Sequence, residues 1–313
     1  MESIIHEELY KNRGFGATLK AAYNMFLTNF TRIFRHMWWA ALIFALVLPL
    51  SVVANTLMIK GGGSLGWIWA PIVLLVTAAQ VVYVSRTTML FNNESWKWNI
   101  IRVLKLTLVF LILIVTVSFV FGFSKGLMEN WLMADLQEKL KTGADAQAAM
   151  AMTANANMKV TAVLLCGMMV VIMLLLPLFY YTATKYIVEV KTRLRKILWS
   201  SYKKGLRRWG YIFVLLLLTG LVMFPFVLIV CLPLIIMVTS MMLSTNGVLQ
   251  GDPSGLPGGF MWLYYVVYVV TVFVLAFFTV FELMVAYFMY GTIETREQER
   301  QKARELKLMG AEA

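Results

Sequence analysis

"RKILWSSYKKGLRRWGYIFVLLLLTG", residues 195–220, sets six basic side chains directly against a long apolar run. From Trp209 to Leu243 no residue is charged. At 1.5 Å per residue that run is about 52 Å long, more than the ~30 Å of hydrocarbon that one span has to cross. Upstream, Leu194, Ile197, Leu198, Tyr202, Leu206 and Trp209 recur at helical spacing, and such a period marks an amphipathic helix. Arg193, Lys196, Lys203, Lys204 and Arg207 fall on its other side. The stretch therefore reads as a helix lying in the membrane interface that turns straight into a spanning one. Basic residues there face anionic headgroups, each contributing about 1 kcal/mol.

Composition extends this reading to the whole chain. Of 313 residues 60% are hydrophobic and 14% charged, against about 45–50% and about 25% in soluble domains. The mean hydropathy is +0.76. So much apolar surface points to lipid rather than to a soluble core. The net charge of +12 then reflects membrane topology, and nucleic acid is not an expected partner. Cys166 and Cys231 both lie in apolar runs, which predicts two small buried hydrophobes rather than a disulfide or metal site.

Six apolar stretches are long enough to span, at 38–59, 67–90, 99–123, 159–184, 209–232 and 260–290. Residues 1–37 lack the apolar core of a signal peptide and are expected to be a cytoplasmic or interfacial amphipathic segment. With the N-terminus inside, 23 of the 28 Lys and Arg residues fall on the cytoplasmic side. The positive-inside rule thus places both termini in the cytoplasm, which needs an even number of spans. The expected fold is all-α: a multi-pass protein of the cell (inner) membrane, with a six-span domain over 38–291 and a charged cytoplasmic tail over 292–313. Pro225 and Pro233 interrupt the fifth apolar run. A kink is expected near Pro225, and the chain after Pro233 is expected to lie along the outer interface or turn back into the protein.

The basic amphipathic lead-in recurs. "FGATLKAAYNMFLTNFTRIFRHMWWA" precedes the first span, with Phe15, Leu19, Ala22, Tyr23, Phe26, Leu27, Phe30 and Phe34 on one stripe, and "SWKWNIIRVLKLTLVF" leads into the third. Amphipathic helices are therefore expected before the odd-numbered spans, as three repeats of a lead-in helix and a helical hairpin. "LKAAYNMFLTNFTRIF", echoed by "WSSYKKGLRRWGYIFVL", resembles a group of bacterial multispan families. These include the membrane domain attached to some glycerophosphodiester phosphodiesterases and uncharacterised integral membrane families similar to it. The resemblance implies a membrane role. It does not imply the phosphodiesterase activity, whose catalytic domain has no counterpart here.

Glu282, in "TVFELMVAYF", is the one acid well inside a span, about 13 Å from its inner end. Such groups are costly in lipid and tend to face the protein interior. Glu282 reads either as a proton or cation site, or as a structural carboxyl that is paired with Lys185 or Arg86 or protonated. Gln80 in the second span is a companion at depth, or a packing residue that hydrogen-bonds across helices. "GGGSLG", residues 61–66, is a turn; with His6 and His36 the only histidines, it has no hydrolase partner. No zinc constellation, phosphate loop or cofactor motif is read.

The segment 124–158 carries balanced charges and a helical stripe, and predicts a helical hairpin on the outer surface, or a lid. Residues 251–259 are expected to form a turn. The tail "ETREQERQKARELKLM" alternates charge at helical spacing and predicts a solvated helix or a docking helix. The expected function is non-catalytic: an accessory, assembly or lipid-associated structural factor. Its expected partners are the bilayer, with its anionic headgroups, and a membrane-protein partner or a second copy of the chain. The alternative is a small permease for a lipid-like substrate, proton-linked through Glu282.

Overall fold

A computed structural model describes residues 9–52, 69–92, 94–141, 146–249, 255–257 and 259–311. Among them are eight helices and no strand. They are α1 (Phe15–Thr28), α2 (Phe30–Val47), α3 (Trp69–Thr88), α4 (Trp96–Lys141), α5 (Ala146–Val188), α6 (Leu194–Arg207), α7 (Trp209–Leu249) and α8 (Phe260–Ala311). Six of these, α2–α5, α7 and α8, are long and apolar enough to cross a membrane. Helices dominate because lipid offers backbone groups no hydrogen bonds, so each span satisfies its own.

Two lead-in helices are separate elements. α1 gives way to α2 at Asn29, whose side-chain amide donates to the Met25 carbonyl at 2.9 Å. α6 gives way to α7 at Arg208. Ahead of the third span the basic segment is simply the first turns of α4. The expected outer hairpin over 124–158 is not a separate pair of elements either. α4 runs 46 residues and α5 runs 43, so the spans continue unbroken up to Lys141 and from Ala146; residues 142–145, like the glycine cluster 61–66 and residues 251–254 and 258, lie outside the described residues. Nothing in "GFSKGLMENW" stops a helix that already propagates at one bond per residue. α7 likewise passes through Pro225 and Pro233 and does not turn back before Leu249. A proline removes one hydrogen bond, which a helix in this setting tolerates without ending.

The chain divides into two compact units. The first joins Met1–Val103 with Tyr180–Ala313, and α8 is its hub. Val280, Met284, Met289 and Ile293 of α8 are fully buried. α1, α2 and α7 pack around it. Ala40, Ala41 and Ala45 of α2 are fully buried too, because small side chains let helix backbones approach. The stripe expected on α1 divides: Thr18, Ala22 and Met25 are buried, while Tyr23 and Leu27 stay exposed. The N-terminal segment lies on Gly291, where a Cβ would overlap the Leu9 carbonyl. Arg296 holds that segment through the Asn12 side chain at 2.8 Å and the Arg13 carbonyl at 2.7 Å.

The second unit, Leu104–Phe179, is the body of the α4–α5 hairpin. Phe110 and Phe179 pack at one end of it, their rings tilted by 35° with centroids 5.1 Å apart. Val120, Val163 and Met169 are among its many exposed apolar side chains. Half of the apolar window of the sixth span is buried in protein, against 6% for the third and 11% for the fourth.

Candidate functional site

Helix α8 leaves its apolar run at Gly291 and presents two acids one turn apart, Glu294 and Glu297. Both are nearly buried, at 8% and 5% exposure. The basic residues of α5, α6 and the α6–α7 junction converge on them. Lys185 Nζ donates to Glu294 Oε1 at 2.7 Å and Lys204 Nζ to Oε2 at 3.2 Å. The Tyr181 hydroxyl donates to the same Oε1 at 2.6 Å. Arg207 and Arg208 both reach Glu297, at 3.4 and 3.2 Å. Lys185 also lies 3.2 Å from Glu189, which accepts from the Tyr290 hydroxyl at 2.8 Å. A buried charge is tolerated only when it is paired and hydrogen-bonded, and here each acid meets that condition.

A second cation closes the end of α5. Arg102 on α4, 3% exposed, donates to the carbonyls of Tyr186, Glu189, Val190 and Thr192 at 2.6–3.2 Å. The last carbonyls of a helix have no partner within it, and the planar guanidinium spans several of them at once. Beside it Asn92 and Asn99 exchange amide hydrogen bonds at 2.9 and 3.0 Å.

Compared with protein-family models, curated proteins and solved structures, the chain matches none. The site is therefore read from its own geometry.

The structure separates the residues that the sequence brought together. Lys185 serves Glu294 and Glu189, not Glu282. Arg86 lies over the rings of Trp39 and Trp96, 4.9 and 5.8 Å from their centroids. Its carbonyl is 3.1 Å from His36 Nε2. Neither cation pairs with Glu282: Lys185 meets α8 twelve residues farther on, at Glu294, and Arg86 is turned toward α2 and the start of α4. Glu282 itself is exposed rather than enclosed. Gln80 is exposed too. Tyr83 bonds to Thr279 at 2.6 Å, and Phe91 packs on Tyr287 at 5.2 Å, which sets α3 and α8 parallel. Gln80 is thereby about 10 Å short of Glu282 along the axis, so the two are not companions at one depth.

The expected anionic-lipid face also divides. Lys196 and Lys203 are exposed, as are Arg193 and Arg195. Lys204 instead faces Glu294, and Arg207 keeps half its side chain exposed while bonding Glu297. The helix is thus pinned by one basic edge and open along the other. Glu294, Glu297 and Arg102 were missed as site residues. The signal for the acids was present: two carboxylates one turn apart, in "GTIETRE", at the depth of a segment rich in Lys and Arg.

Chemically the buried cluster is a clamp. Every carboxylate in it is occupied by a cation or a hydroxyl. Among the described residues no group of three or more His, Cys, Asp or Glu side chains comes together as metal ligands would.

Proposed function

We propose that this is a non-catalytic multi-pass protein of the cell membrane that works as an accessory or assembly factor beside other membrane components. The observation that carries this reading is the contrast in burial between the spans. α8 and α2 bury half and 39% of their apolar windows around a satisfied polar clamp, while α4, α5 and α7 bury only 6–11% of theirs. Within a bilayer such surface is free to meet lipid or another helix. The basic bias of the sequence supports an orientation with both termini in the cytoplasm. The exposed edge of α6, with Arg193, Arg195, Lys196 and Lys203, then faces anionic headgroups. The resemblance of the lead-in helices to the multispan families fits such a role and brings no phosphodiesterase chemistry with it.

The alternative is a permease for a lipid-like substrate. An apolar crevice of about 280 Å³ between α4 and α5, lined by Phe110, Ile114, Val117, Met168, Ile172 and Phe179, favours it. Proton coupling through Glu282 would need that carboxyl on an enclosed path, and its exposure speaks against this. Native mass spectrometry of the protein in lipid nanodiscs tests the two readings. A protein subunit retained at fixed stoichiometry supports the accessory role. A stoichiometric lipid or small molecule, with no protein partner, overturns it in favour of the permease.

A further inference from the structure

Glu282 is the single charged residue between Phe260 and Tyr290. It stands on the exposed side of α8, one turn from the exposed Thr279. Among the described residues nothing pairs with its carboxyl. The nearby hydroxyls are committed elsewhere. Tyr180 donates to the backbone carbonyl of Glu282 at 2.8 Å. Tyr83 donates to the Ala276 carbonyl and bonds Thr279. The two cations expected beside it are equally committed: Lys185 to Glu294 and Glu189, Arg86 to its two tryptophans. The clamp at Glu294 is twelve residues farther on, about 18 Å along the axis.

An ionisable group facing hydrocarbon is costly, and proteins offset it by pairing. We infer that Glu282 is the docking point for a membrane-spanning helix of a partner protein that carries a basic side chain at the same depth. Charge complementarity selects this occupant. A second copy of the chain packed by two-fold symmetry would bring two carboxylates together. A lipid ammonium group sits in the headgroup layer, too far out to meet a carboxyl this deep. This inference rests on the accessory reading above and names the class of partner.

The test uses full-length protein, donor-labelled at its N-terminus, in phosphatidylcholine vesicles. Its probe is an acceptor-labelled synthetic helix of Leu and Ala with one central Lys, compared with the same peptide without Lys. Energy transfer should report association about tenfold tighter for the Lys peptide, since an interhelical polar contact is worth about one such factor. Glu282→Gln, which conserves shape at an exposed position, should abolish that preference, and Glu282→Asp should keep part of it. Equal association of both peptides overturns the inference. So does a Lys preference that survives Glu282→Gln. Transfer between two labelled copies of the protein that disappears in Glu282→Gln assigns the site to self-association and also overturns it. None of these outcomes touches the accessory reading, which stands or falls on whether a protein subunit is retained in the nanodisc experiment.

Discussion

Lys185 Nζ sits 2.7 Å from Glu294 Oε1, on helices whose contacting residues are 109 positions apart in the chain. Their side chains are 9% and 11% exposed. The pair ties α5 to α8, and Lys204 adds α6 through the other carboxylate oxygen. Removing Lys185 leaves the buried Glu294 with Lys204 and the Tyr181 hydroxyl alone. Lys185→Met should therefore destabilise the protein, by less than the roughly 3–5 kcal/mol of a fully unmatched buried charge. The double variant Lys185→Met with Glu294→Gln should recover a large part of that loss. Thermal unfolding in detergent, followed by size-exclusion chromatography, reads both. Equal loss in the single and double variants would show that the pair is not the coupled unit.

Arg102 holds four carbonyls at the end of α5. Arg102→Lys keeps the charge but not the fork, and a point ammonium cannot reach carbonyls spread from Tyr186 to Thr192. Left unsatisfied, the buried Tyr186 carbonyl alone costs about 1–3 kcal/mol. The expected result is a lower unfolding temperature for Arg102→Lys, nearly as low as for Arg102→Gln. A lysine variant as stable as wild type would mean that charge alone suffices.

Gly291 gives the N-terminal segment its seat. Gly291→Ala forces a Cβ against the Leu9 carbonyl, an overpacking that costs about 1–3 kcal/mol. The segment lies ahead of α1 and outside any helix, so it should lift before the bundle unfolds. Trypsin should then cleave at Lys11 and Arg13 faster in the variant, with the core still intact on a gel. Unchanged cleavage would place the strain elsewhere.

The two edges of α6 should respond differently to charge removal. Lys204→Gln breaks a contact with a buried acid and should lower the unfolding temperature. Lys196→Gln with Lys203→Gln removes exposed charge, and should leave the unfolding temperature unchanged while reducing the anionic lipid retained in native mass spectrometry. A stability loss in the exposed pair would show that this edge, too, is packed.

The threading has its own check. In a background with Cys166→Ala and Cys231→Ala, a cysteine introduced by Ser64→Cys should react with an impermeant thiol reagent added outside the cell. One introduced by Thr192→Cys should not. The opposite pattern would invert the topology.

Local pattern determined much of this protein. Apolar runs of spanning length and the basic lead-ins before the first and fifth spans are written in consecutive residues, and both appear as helices α1, α2, α6 and α7. Hydropathy of this kind is a property of a segment against lipid and needs no knowledge of its neighbours. Which face of each helix turns inward is different. Lipid is as apolar as leucine, so a bundle-facing side and a lipid-facing side look alike in sequence. For that reason only the tertiary structure decided that Glu282 points out of the bundle, that Lys185 finds Glu294 instead, and that Arg86 rests on two tryptophans. The same holds for the unbroken run of α4 past residue 123 and of α7 through its prolines. Helix propagation there met no opposing contact, and a proline or a polar turn by itself does not supply one.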